Sequence, residues 1–473
     1  MATMSGEISL AQARHGPNVT AISVIPPELA SKTDLARRVS PVRFETSSGV
    51  EEVGVLEGQL SDSSARLLGL SLPAPPVMTL DESLSPPQEQ VEEQRIWCSR
   101  FAAAALSLRS SLGIRPDVVH LHGESVCLAL HWPQSADSPP PAMVLSFYDP
   151  QKEAVFGPQA LEPDLGPSNI STEESEDSTE DTGDEKIEMG GGGLPTAAQA
   201  AIQISSAVLL PSEGAKRQVR FSRRRTALKP AFTSHPLTAG AMGGVDSGRF
   251  NPGNDPDLAA TFGPNDIDGK AKCKRALQDS AGLSPRDDVI VAVGAMGTNR
   301  EDGTRCLVAA AQELLDADVQ LVLLGDPPAE QARLIEEVSK SQPSRISVMG
   351  WSSLPLPVIL AGADVVVATD DWAPWGRQAQ LGMAMGCVPI VHDVGGLSDL
   401  VVDWDPATRT GGGFKLRDAE PSQLLNGVQR AQELFANQTL WKQMISRNME
   451  QTLLWQDAWK RFDEIYREVL DED

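Results

Sequence analysis

Two hydrophobic rhythms alternate along the chain. Short, near-continuous runs of Val, Ile and Leu are separated by stretches in which apolar residues recur at helical spacing. The C-terminal half is the clearer. DVIVAVG (Asp288 to Gly294) reads as a buried strand and TRCLVAAAQELLDA (Thr304 to Ala317) as a helix. VQLVLLG (Val319 to Gly325) and AEQARLIEEVSKS (Ala329 to Ser341) repeat the pair, and RISVMG, ADVVVAT and CVPIVH supply three more strands. Apolar strands alternating with helices predict a parallel sheet covered on both faces. Such doubly wound sheets bind ligands outside the carboxyl ends of their strands.

The N-terminal half carries the same rhythm. NVTAISVI, DVVHLHG, AMVLSF and SAVLLPS read as strands and Arg95 to Gly113 as a helix. Gly, Pro and Asn cluster between Leu237 and Asp257, which marks a seam. The final stretch, Trp455 to Leu470, is amphipathic. The expectation is α/β: two facing, Rossmann-like, doubly wound domains, residues 1–240 and 241–450, with a ligand groove between them.

Composition narrows the functional classes. The 473 residues suffice for two or three domains at roughly 150 residues each. With 65 acidic side chains against 40 Lys and Arg, the formal charge is -25. An acidic surface argues against sequence-independent nucleic-acid binding and against anionic membranes. No apolar run reaches the roughly 18–20 residues of a membrane span, and no basic-then-apolar leader opens the sequence. Five scattered cysteines without a CxxC pair predict reduced thiols and a cytoplasmic location. His120 and His122, spaced to share one face of a strand, lack the further ligands that a metal site needs, so none is expected. Ser171 to Glu188 holds nine acidic residues and one Lys, within an expected disordered insertion at about 160–190. RFSRRR (Arg220 to Arg225) reads as a solvated basic loop.

Candidate chemistry lies in three glycine-containing turns after strands: Gly294 to Gly303, the TDDWAPWG run ending at Gly376, and Asp393 to Leu400. Glycine there lets backbone N–H groups approach a phosphate. Each turn alone is weak evidence, because any strand-to-helix turn favours glycine. Arg300 adds a cation to the first. Trp372 and Trp375 could stack on a sugar or base.

Val245 to Leu283 resembles a segment of bacterial glycogen synthases and plant starch synthases, with Gly-Val-Asp, Asn-Pro, Asp-Pro and Gly-Lys…Cys-Lys…Leu-Gln at similar spacing. CVPIVHDVGGLSDLV, TGGGFKL, WQDAWKRFDEIY and PDVVHLHG resemble further family segments. The resemblance implies the GT-B fold, with a final helix at 451–473 crossing back onto the first domain. It implies a retaining glucosyl transfer from ADP-glucose, or a related nucleotide sugar, to an α-1,4-glucan, without cofactor or metal. Gly294, Arg300, Gly395, Gly396 and Leu397 would then hold the nucleotide. His122, Glu124, Trp375 and Gly376 would line the sugar or acceptor side. Asp370 or Asp371 would hold the transferred glucose.

The same resemblance exposes departures. The family's diphosphate-binding Arg position is Ala295, and its Lys is Arg300 or Glu301. Its active-site Glu position is Ala373 and its active-site His is Tyr148. The Asp after His-x-His is Gly123, and the Thr before Gly-Gly-Leu is Val394. The family's opening strand and Lys-x-Gly-Gly loop have no match, which would leave neighbouring strands with unpaired edges. The sequence thus predicts weak or lost transfer, with a non-catalytic, regulatory nucleotide or glucan binder as the alternative.

Overall fold

The computed structural model describes residues 8, 11–14, 18–30, 35–38, 40–46, 49–59, 63–73, 88–133, 140–148, 197–221, 228–296, 301–327 and 329–471. The acidic stretch 171–188, Arg300 and residues 222–225 of the basic cluster lie outside the described residues, as do the side chains of Glu124 and Cys127. The chain forms two compact units. One comprises residues 1–210, 222–239 and 462–473; the other comprises 211–221 and 240–461.

The second unit is built on a six-stranded sheet. Its spatial order is Ile346–Met349, Gln320–Leu324, Val291–Ala295, Val365–Ala368, Val388–His392 and Phe414–Leu416. Every neighbouring pair is parallel. In chain order this is 3-2-1-4-5-6, so the winding reverses between Val291–Ala295 and Val365–Ala368. That reversal is where a doubly wound sheet opens a crevice at its carboxyl edge. Three inner strands, Gln320–Leu324, Val365–Ala368 and Val388–His392, are buried at every position. This is why their sequences are continuous apolar runs rather than alternations. Helices Glu301–Asp316, Pro421–Phe435 and Gln438–Gln451 cover one face through Leu314, Val428 and Met444. Helices Lys270–Ser280 and Leu356–Gly362 contribute Leu277 and Leu360 to a separate cluster with Val291, Val322 and Val366.

Among the described residues, the strands of the first unit fall into several sets. They form two four-stranded sheets and a hairpin. One sheet runs Thr238–Gly240, Ala207–Leu210, Ala142–Ser146, Val118–His122. The other runs Thr20–Val24, Arg66–Leu70, Val55–Gln59, Ala36–Arg37 and mixes parallel with antiparallel pairs. Val42–Thr46 and Gly49–Val53 form the hairpin. The hairpin strands were not foreseen because charged residues interrupt their apolar ones; VRFET buries only Val42 and Phe44. Thr20–Val24 and Val118–His122 each end a sheet and are mostly half-buried, whereas Ala142–Ser146 is buried throughout. Among the described residues, no helix is long and apolar enough to cross a membrane.

Candidate functional site

The motif that carries much of the family resemblance holds the second unit together. Lys270 is buried, and its ammonium donates to the carbonyls of Ala361, Ala363 and Met385 at 3.0, 2.8 and 3.4 Å. Ala363 and Met385 terminate Leu356–Gly362 and Arg377–Ala384, so this one cation satisfies carbonyls that the helices leave open. Desolvation lowers the Lys270 pKa. One turn on, Lys274 pairs with buried Asp364 at 2.7 Å, and Asp364 also accepts the Val291 N–H at 2.9 Å. Gln278 bridges to the Gln320 side chain at 2.8 Å and the Arg286 carbonyl at 2.9 Å. The Gly-Lys…Cys-Lys…Leu-Gln spacing is thus a buried polar clamp between a helix and the sheet.

The carboxyl edge of that sheet gathers several of the expected site residues. Gly294 lies within strand Val291–Ala295, and a Cβ there would come 2.4 Å from Leu307. Its small size lets helix Glu301–Asp316 lie close to the strand. Asp370 and Asp371 follow strand Val365–Ala368 and face different neighbours. A Cβ on Gly303 would meet the Asp370 carboxylate at 2.7 Å, and Thr369 Oγ1 donates to the Gly303 carbonyl at 2.9 Å. Asp370 therefore sits against the first turn of Glu301–Asp316, where a negative charge is favoured. Asp371 instead lies 3.3 Å from His392 Nδ1, and its carbonyl accepts from Gln218 Nε2 at 2.7 Å.

Gly395, Gly396 and Leu397 open the short helix Gly395–Leu400. Gly395 takes φ +51, and a Cβ on it would lie 2.7 Å from the Ala373 carbonyl. The Gly396 N–H donates to that carbonyl at 2.9 Å, so the main chain at Ala373 occupies one amide of the expected cradle. Leu397 is fully buried with Ala368, Ala373, Ala379, Val391 and Val401. Trp375 is only 6% exposed, and Gly376 takes φ +57 immediately before helix Arg377–Ala384.

Helix Glu213–Phe221 covers the glycine turn, and nothing in the sequence pointed to this. A Cβ on Gly214 would fall 1.9 Å from the Gly395 carbonyl. The Gly214 N–H donates to Asp399 at 2.6 Å, Arg217 pairs with the same carboxylate, and Ser212 Oγ donates to the Pro374 carbonyl at 2.8 Å. At the ends of the neighbouring strands, Trp351 is 57% exposed and lies beside Gly325, which takes φ +100. Sequence reading missed Trp351, Gln218 and His392. The last was visible as a polar residue ending an apolar strand.

In the first unit, His120 and His122 share a face of Val118–His122 as their spacing predicts, with ring centroids 4.0 Å apart. His120 joins Ser146 at 2.7 Å and the Tyr466 hydroxyl at 2.5 Å; Gln12 donates to that hydroxyl. His122 Nδ1 lies 2.5 Å from the Tyr148 hydroxyl. Desolvation pushes the His122 pKa down to about 4 and His120 well below its ordinary range, His122 adding to the latter effect. Among the described residues, no three His, Cys, Asp or Glu side chains gather as a metal site.

Residues 287–433, all within the second unit, match the family model "Glycosyl transferases group 1". Glycogen synthase from Anaeromyxobacter dehalogenans strain 2CP-1 is 29% identical over 78% of this chain and 76% of its own length. Glycogen synthase 1 from Methylococcus capsulatus is 32% identical over 49% of this chain and 48% of its own. Among solved structures, the catalytic domain of starch synthase IV from Arabidopsis thaliana, bound to ADP and acarbose, aligns with TM-score 0.77. It covers 96% of this chain and 100% of that domain at 18% identity, a likeness of fold. Sucrose-phosphate synthase from Thermosynechococcus elongatus aligns with TM-score 0.56 at 17% identity, covering 99% of this chain and 92% of its own.

Proposed function

We propose that this chain, which belongs to the glycogen and starch synthase family as a divergent member, binds a nucleotide sugar in its second unit and transfers the sugar slowly or not at all. The donor is ADP-glucose and the acceptor an α-1,4-glucan. The observation that carries the reading is the rim formed by residues 369–376 and 392–397. A wound sheet and a glycine turn persist there, while the position expected to hold a sugar-binding Glu is Ala373, buried and lacking a carboxylate.

Binding draws on main-chain groups and on shape. The reversal of strand order opens a crevice at this edge. The exposed indole of Trp351 suits a nucleobase, which stacks on an aromatic face. Gly395 and Leu397 carry the remaining amides of the turn toward the diphosphate, since the Gly396 amide is already donated. Asp371, held by His392 and Gln218, is the carboxylate placed for a sugar hydroxyl. Asp370 serves the helix start instead.

Bond breaking needs fixed positive charge where the diphosphate leaves. Ala295 cannot provide it, and a missing contact of this kind costs about 10²- to 10³-fold in rate. Loss of several gives a binder with residual or no turnover. In the first unit, Tyr148 offers a hydroxyl where the family has His, and it is bonded to His122.

Two measurements test this reading. Labelled ADP-glucose is incubated with glycogen and the protein, and calorimetry follows ADP. Saturable ADP binding with label incorporation several orders of magnitude below an active glycogen synthase is expected. Label entering polymer at a comparable rate would show that transfer is intact, and absence of ADP binding would remove the nucleotide assignment.

A further inference from the structure

We propose that Gln218 and Ser212 are positioning residues for the sugar side of the site, holding the rim 371–374 from outside so that the Asp371 carboxylate meets the sugar of the bound nucleotide sugar; the inference rests on the nucleotide-sugar reading above. The chain makes an excursion to place them. Residues 211–221 group with the second unit, whereas the flanking stretches, up to 210 and from 222 to 239, group with the first. The excursion is the helix Glu213–Phe221 with Ser212 before it.

The rim needs such anchors. Between strand Val365–Ala368 and helix Arg377–Ala384 the chain runs without helix or strand. Its carbonyls are taken one by one instead. The Asp371 carbonyl accepts from Gln218 Nε2 at 2.7 Å, and the Pro374 carbonyl from Ser212 Oγ at 2.8 Å. Between them, the Ala373 carbonyl accepts the Gly396 and Gly376 N–H groups at 2.9 and 3.2 Å. The excursion therefore holds two of these three carbonyls. Ser212 is buried, and its Oγ also accepts the Ala215 N–H at 2.9 Å, so one hydroxyl caps the helix and ties it to the rim.

The place of Gln218 follows from the helix register. Gly214 and Gln218 are four residues apart and share a face. Gly214 lies against the Gly395 carbonyl, and its N–H donates to Asp399 at 2.6 Å. That contact sets the helix over the glycine turn, and one turn later Gln218 reaches Asp371. The other end of the same carboxamide, Oε1, stands 3.2 Å from where a Cβ on Gly395 would lie. One side chain thus spans from the sugar-side rim to the turn assigned to the diphosphate. Oε1 is buried without a hydrogen-bond partner. A side chain that only filled this space would be more stable without that oxygen. What the carboxamide adds is its N–H, and the N–H goes to Asp371. With its main chain held by Gln218 and its carboxylate 3.3 Å from His392 Nδ1, Asp371 is fixed at both ends. A carboxylate fixed before the ligand arrives gains more from a sugar hydroxyl than one that must be ordered on binding.

Calorimetric titration of the full chain with ADP and with ADP-glucose separates the sugar from the nucleotide. The readout is the ratio of the ADP-glucose affinity to the ADP affinity. A general loosening of the fold weakens both ligands alike and leaves that ratio in place. Gln218→Met keeps the length of the side chain and removes the donor; the ratio is expected to fall about fivefold. Ser212→Ala frees the Pro374 carbonyl and is expected to lower the ratio about threefold, and it carries the test if Gln218→Met does not fold. Asp371→Ala removes the carboxylate and leaves the carbonyl. Adding Gln218→Met to it is expected to lower the ratio no further, because the two residues act as one unit. An unchanged ratio in the folded single variants, or an equal further fall in the Asp371→Ala background, would overturn the proposal while ADP binding upholds the nucleotide reading. ADP binding without ADP-glucose binding by the wild-type chain would remove the sugar side and the proposal with it. Binding of neither ligand by the wild-type chain would remove both readings.

Discussion

The two units handle buried polarity in opposite ways. In the second, ionised groups lie at the heart of the structure. Lys274 and Asp364 are 6% and 8% exposed at their side chains, and each finds main-chain partners as well. In the first, the polar centre is half-buried and uncharged. His120, His122, Tyr148, Tyr466 and Ser146 join through hydroxyls and imidazoles, with desolvation keeping both rings in their neutral form. The difference teaches where each fold is committed. A buried charge pair fixes a unique arrangement only when both partners and their hydrogen bonds are in place. A neutral network tolerates replacement of a member at lower cost. The second unit also keeps an unbroken six-stranded sheet, whereas the first divides its strands between two sheets. Resistance to change therefore concentrates in the unit that the glycosyltransferase model matches.

The sharpest way to break this comparison is to remove one partner from each centre. Lys274→Met leaves Asp364 buried without its ion-pair partner, holding the Val291 amide. A loss of about 3–5 kcal/mol is expected. Tyr466→Phe removes a hydroxyl shared by His120 and Gln12, at about 1–2 kcal/mol. Urea unfolding followed by circular dichroism reads both. Equal shifts in midpoint would erase the distinction between a charged and a neutral centre.

Acid sharpens the comparison at a somewhat smaller scale. Both imidazoles of the first unit are harder to protonate folded than unfolded. The unfolded chain takes up protons first as pH falls below about 6.5. Their contribution is therefore fully present above that pH and is lost progressively down to about 4, on the order of 3 kcal/mol for His122 alone. Hydrogen exchange, corrected for intrinsic rates, is expected to rise between pH 7 and 5 in peptides spanning 118–122 and 142–148. Peptides spanning 291–295 and 365–368 are expected to stay protected. Protection lost equally in both sets would place the acid-sensitive groups elsewhere.

Legibility follows the same physics. Strands buried on both faces announce themselves as apolar runs, so the second unit's sheet was readable almost residue by residue; the helix expected at Ala329 to Ser341 spans those residues. Strands with one wet face and charged alternation, such as Val42–Thr46 and Gly49–Val53, carry no such signal. The i, i+2 spacing of His120 and His122 placed them on one face, but only the fold brings Tyr466 to them from 346 residues away. Asp370 and Asp371 were equivalent on paper. Their separation into a helix-start carboxylate and a His392 partner depends on Gly303 and a strand end distant in sequence. Helix Glu213–Phe221 could not be connected to the glycine turn because the glycine that permits their approach, Gly214, looks like any other.

That helix gives the smallest of the expected effects and a test of how it is held. Arg217 and Asp399 form an ion pair whose side chains are 54% and 22% exposed. An exposed pair contributes little, so Arg217→Ala is expected to cost less than about 1 kcal/mol, and less again in high salt. Asp399 does more, because its other oxygen accepts the Gly214 N–H at 2.6 Å. Asp399→Ala leaves that amide without its carboxylate beside the Gly395 carbonyl, and about 1–2 kcal/mol is expected. Thermal unfolding at low and high salt separates the two contributions: the Arg217→Ala deficit is expected to vanish with salt while the larger part of the Asp399→Ala deficit remains. If both deficits vanish together, the helix is held over the glycine turn by charge attraction alone. A persistent Asp399→Ala deficit assigns the attachment to the main-chain bond, which requires residue 214 to lie as close to the turn as only glycine permits.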